Sequence, residues 1–74
     1  MNANQKDDLH VSRFYFEKVI NDLISLHNNL GYDVENQIKN LNYGLNALFD
    51  GLCENKRYNI EKNEHGDIIR RKVY

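Results

Sequence analysis

A chain of 74 residues with a single cysteine and no proline or tryptophan has room for one small core, because a domain of this size buries only roughly 60% of the surface its unfolded chain exposes. Cys53 alone excludes an internal disulfide framework, so the stability that small scaffolds otherwise draw from disulfides or metals is expected from a second copy of the chain. The net charge of −1 conceals a split, 4 basic and 7 acidic side chains (−3) in residues 1–53 against 6 and 4 (+2) in residues 54–74, and neither part is charged strongly enough to name a partner.

Residues 1–8 are polar, with no apolar segment of the kind a secretory leader carries, and are expected to be flexible. No apolar run approaches the roughly 18 to 20 residues of a membrane helix. A reducing, cytoplasmic setting suits the unpaired thiol. The first helix is expected from Leu9 to Leu30. Asp7 or Asp8 would accept from its free N–H groups, and Gly31 would close it in a left-handed cap. Phe16, Ile20, Leu23, His27 and Leu30 step by 4, 3, 4, 3, and Val19, Ile24 and Leu26 widen the apolar arc to about 160°. One partner helix cannot cover that arc, so the rest is expected to meet a hairpin or another subunit.

The second helix is expected over residues 34–50, behind Asp33 as N-cap, with Gly51 as the left-handed residue at its end. Val34, Ile38, Leu41, Leu45, Leu48 and Leu52 repeat the 4, 3 spacing. Two adjacent heptad seams joined by about three residues make an antiparallel helical hairpin. Gly44 is unfavourable in mid-helix by roughly 1 kcal/mol against alanine, and a close approach of another backbone is expected there, in the same chain or a second one.

From Arg57 the period changes to two, so a β-hairpin is expected over residues 57–74. A two-residue loop at His65-Gly66 would pair Lys62 with Ile69, Ile60 with Arg71 and Tyr58 with Val73, gathering Tyr58, Ile60, Ile69 and Val73 on one face, with Glu61 opposite Arg70. The fold class is thus α+β: an antiparallel two-helix hairpin followed by a C-terminal two-stranded β-hairpin, in one small domain.

Chemistry-bearing residues are few. His10, His27 and His65 have no spacing that would place two metal ligands on one helix face, so no metal or cofactor is expected. His27 sits in a leucine seam, where a polar residue can fix register. Cys53 follows a helix C-terminus, whose dipole opposes a thiolate. With no phosphate loop and no nucleophile, base and acid in combination, an enzyme is not expected.

The hairpin resembles in architecture the plasmid copy-number regulators that dimerise as antiparallel helical hairpins and bind paired RNA, although those lack a β-hairpin. The stretch from Ile24 to Leu52 is loosely similar to the small sporulation aspartyl-phosphate phosphatases, whose second helix carries Ser-Gln-Glu-Leu-Asp. Here Asn42-Tyr43-Gly44-Leu45-Asn46 keeps only the leucine, and an amide at Asn46 cannot replace the carboxylate. Neither resemblance carries a residue role across.

Aromatic residues outside the seams are the stronger functional signal. Phe14 lies about 160° from the centre of the first seam, Tyr15 sits at the edge of the apolar arc and Tyr43 points away from the second seam, and exposed aromatics are what binding hot spots are made of. The reading is a small cytoplasmic protein-interaction module, a homodimer that binds and modulates or inhibits a larger protein, a size and composition that suit phage or mobile-element inhibitors. The alternative is a nucleic-acid-binding regulator using Arg57, Arg70, Arg71 and Lys72, interleaved with Tyr58 and Tyr74, to hold phosphates and stack bases.

Overall fold

The computed structural model describes residues 3–73. Met1, Asn2 and Tyr74, which the expected N-terminal segment and hairpin include, lie outside the described residues. Two helices, α1 (Ala3–Leu30) and α2 (Glu35–Gly51), precede two strands, β1 (Tyr58–Lys62) and β2 (Ile68–Lys72), the α+β layout that the periodicities require.

α1 starts at Ala3, six residues before the expected Leu9. Nothing between Ala3 and Asp8 breaks a helix, and Ala, Gln and Lys all favour one, so Asp7 and Asp8 lie inside it instead of capping it. Gly31 closes α1 as expected: it takes φ +74° and donates its N–H to His27 O at 3.0 Å. The N-cap of α2 is Val34, not Asp33, and makes no side-chain cap bond. Its side chain packs on the core, which draws the chain in at that corner.

The end of α2 also differs. Gly51 stays helical and Cys53 takes the left-handed conformation, with φ +57°. Glu54 N donates to Phe49 O at 2.9 Å and Cys53 N to Asp50 O at 3.1 Å, the paired bonds of a Schellman cap. Leu52 explains the extension, because it is buried, and ending the helix before Gly51 would withdraw it from the core.

The strands are antiparallel, but in a register one residue away from the expected one: Tyr58 faces Lys72, Ile60 faces Arg70 and Lys62 faces Ile68. Asn63 is the cause. Its carbonyl accepts from Gly66 N at 3.1 Å, while its Oδ1 accepts from His65 N at 3.0 Å and Asp67 N at 2.9 Å. This makes a three-residue loop, Glu64 to Gly66, closed by Gly66 at φ +83°. The shift brings Ile68 into the core in place of Ile69 and leaves Val73 exposed. Glu61 pairs with Arg71 Nε at 2.7 Å instead of with Arg70.

Ile20 of α1, Ile38, Leu45 and Phe49 of α2 and Ile68 of β2 form the buried cluster, each contributing roughly 1.5–3 kcal/mol by burial. Phe49, outside the leucine seam, turns toward the sheet and sits 5.9 Å from the Tyr58 ring. The β-hairpin covers one side of the helix pair. Among the described residues, no helix is long and apolar enough to cross a membrane.

Candidate protein-interaction surface

α1 has 28 residues and α2 has 17. At 1.5 Å per residue α1 is about 42 Å long, which sets the 44 Å long axis of the molecule. Arg13 already reaches Glu54, three residues past the end of α2, with Nη1 2.6 Å from Oε2. The part of α1 before Arg13 therefore runs beyond its partner helix and projects from the body.

Phe14 and Tyr15 stand where this projection leaves the body, 66% and 60% exposed. Neighbouring residues on a helix point about 100° apart, yet the two rings meet edge to face with centroids 5.9 Å apart. Val11, one turn earlier, is exposed as well. The result is a preformed apolar and aromatic strip on a rigid helix, with the tyrosine supplying a hydroxyl beside an apolar ring. Tyr43, at 80% exposure, is on a different element. It lines a small cleft of about 220 Å³ with Asn46, Ala47, Asp50 and Arg57. The structure thus brings Phe14 and Tyr15 together and leaves Tyr43 apart.

No family model matches the chain, and neither does any curated protein or solved structure.

The basic residues of the alternative reading are engaged within the chain. Arg57 Nη2 lies 3.2 Å from Asp50, Arg71 pairs with Glu61, and Arg70 places its guanidinium 3.9 Å above the Tyr58 ring with Nη2 3.4 Å from Glu17. Arg70 is nearly buried by these contacts, which fasten β2 to α1. Lys72 is exposed at the end of its strand. His27 is half-buried with Nδ1 3.0 Å from Asn28 Oδ1. Cys53 is exposed, and no group of three His, Cys, Asp or Glu among the described residues is arranged to hold a metal ion.

The residues that sequence reasoning missed are the fasteners. Asn28 of α1 exchanges two hydrogen bonds with the backbone of Ile68, and Asn46 of α2 does the same with Tyr58, whose carbonyl Asn42 also contacts at 3.0 Å. Tyr58 and Ile68 each open a strand and turn their backbone groups outward, so each amide stands in for a missing neighbouring strand. The available signal was the asparagine itself, a poor residue for helix interiors that occurs there when its side chain has a partner.

Proposed function

We propose that this chain is a protein-interaction module that presents the N-terminal half of α1 to a groove on a larger protein. The Phe14–Tyr15 pair carries the reading: two contacting, largely exposed aromatic rings at the base of a projecting helix. Exposed rings of this kind make hot spots when a partner encloses them, and a helix entering an apolar groove reads out residues three and four apart, as Val11, Phe14, Tyr15 and Lys18 are. Occupying such a groove would inhibit or redirect the larger protein without chemistry of its own. Tyr43 adds a separate contact at most.

The nucleic-acid alternative draws little from this arrangement, because Arg57, Arg70 and Arg71 are each bound to a carboxylate of the same chain. Capture of partners by the tagged protein, with and without nuclease, distinguishes the two. A stoichiometric protein that survives nuclease supports the module. A catch lost with nuclease moves the function to the basic hairpin.

A further inference from the structure

The β-hairpin occupies one side of the helix pair: Asn28 and Glu17 of α1 and Asn42 and Asn46 of α2 all bond to it. At about 100° per residue, the flank of α1 opposite these contacts carries Val19 and Leu26, and the opposite flank of α2 carries Gly44. We propose that a second copy of this chain covers that open face, giving a two-fold dimer in which the ridge of each α1 lies over the Gly44 side of the partner's α2.

The ridge is a second heptad seam. Phe16, Val19, Leu23, Leu26 and Leu30 step by 3, 4, 3, 4, the spacing whose knobs fit another helix. α2 already occupies the Ile20 side of α1, and yet Val19 is 44%, Leu26 37% and Leu30 67% exposed. The only charge at the edge of this flank between Ser12 and Leu30 is Asp22, and it is neutralised within its own chain by Lys18 at 2.9 Å. Gln37, Asn40, Gly44, Ala47 and Gly51, which line the same side of α2, are uncharged. Two copies can therefore meet here without opposing like charges, as the uncharged centre of an interface requires.

Shape and size agree. A Cβ built on Gly44 meets nothing within 4 Å, so no neighbour in the chain explains a glycine in mid-helix, whereas an approaching partner helix does. The molecule is a slab only 14 Å through its shortest axis, with a radius of gyration of 13.4 Å, against about 11 Å for a compact chain of this length. A specific interface needs on the order of 1,000 Å², which a face 44 Å by 22 Å is wide enough to supply when two copies stack, and stacking gives each slab the second apolar layer that it lacks. Phe14 points about 140° away from Val19 on the helix and stays outside this face, whereas Tyr15, about 40° from Val19, stands at the edge of the ridge.

Sedimentation equilibrium of the purified full chain, over a wide concentration range, tests it. The expected result is the mass of two chains for the wild type and of one chain for Leu26→Glu and for Gly44→Leu, each with the helical circular dichroism of the wild type. Both positions are open in the single chain, so neither change should disturb its fold, and Leu30→Gln at the exposed end of the ridge replaces a variant that fails to fold. A wild type of single-chain mass at every concentration, or a dimer that persists in Leu26→Glu or Gly44→Leu, would overturn the proposal.

Discussion

The carboxamide of Asn46 grips the backbone of Tyr58 at both ends: Tyr58 N donates to Oδ1 and Nδ2 donates to Tyr58 O, each at 3.0 Å. The carbonyl has a second donor in Asn42 Nδ2, whereas among the described residues Asn46 Oδ1 is the acceptor for the Tyr58 N–H. Asn46→Ala should therefore strand a partly buried amide and lower stability by about 1–3 kcal/mol. Asn42 Oδ1 is itself buried without a partner, so Asn42→Ala should lower stability by less than about 1 kcal/mol. Urea unfolding of the two variants checks the order, and equal losses would show that the two amides are equivalent.

Cys53 holds φ +57° at the end of α2, a conformation that disfavours residues with a Cβ by roughly 1–2 kcal/mol. Cys53→Gly should stabilise the fold by about 1 kcal/mol, raising the melting temperature by roughly 4–8 °C. A lower melting temperature would mean that the side chain contributes more than its exposure implies.

Lys62 Nζ lies 3.1 Å from Glu35 Oε1 and ties β1 to the first turn of α2. Its hydrogen bond holds the Glu35 carboxyl below the ordinary carboxylate range, with Lys39 and His27 assisting through their charge. A depressed pKa in the folded state makes this contribution complete above the ordinary carboxylate pKa and lost as the pH falls through the lowered one. Lys62→Met should move the Glu35 titration upward in a carboxyl NMR experiment and reduce the loss of stability on acidification. An unmoved titration would show that the pair does not persist in solution.

The helices were legible in the sequence because heptad spacing is a property of neighbours along the chain. Ile20, Ile38 and Leu45 followed from it and are fully buried. The strand register was not, since it rests on one side chain: Asn63 Oδ1 takes two loop N–H groups and sets a three-residue turn where His65-Gly66 alone suggests two. Arg70 was also misplaced, because whether a guanidinium faces water or the Tyr58 ring depends on that register. Asn63→Ala tests this point. It should lower stability by about 0.5–1.5 kcal/mol and broaden the amide resonances of His65 and Asp67. Unchanged resonances would place the control of register elsewhere. Of the candidate surface, the exposure of Phe14 and Tyr15 could be read from the helical wheel. Their contact, and the projection of α1 beyond α2, required the end of α2 to be placed.

The reading of this chain as an interaction module turns on whether Phe14 and Tyr15 recognise a partner or support the fold. The most direct measurement compares wild type with the Phe14→Ala, Tyr15→Ala double variant for retention of the captured partner, alongside their thermal melts. The account predicts that the double variant loses the partner while its melting temperature stays within a few degrees of wild type. A variant that keeps the partner, or that melts far below wild type, would contradict it.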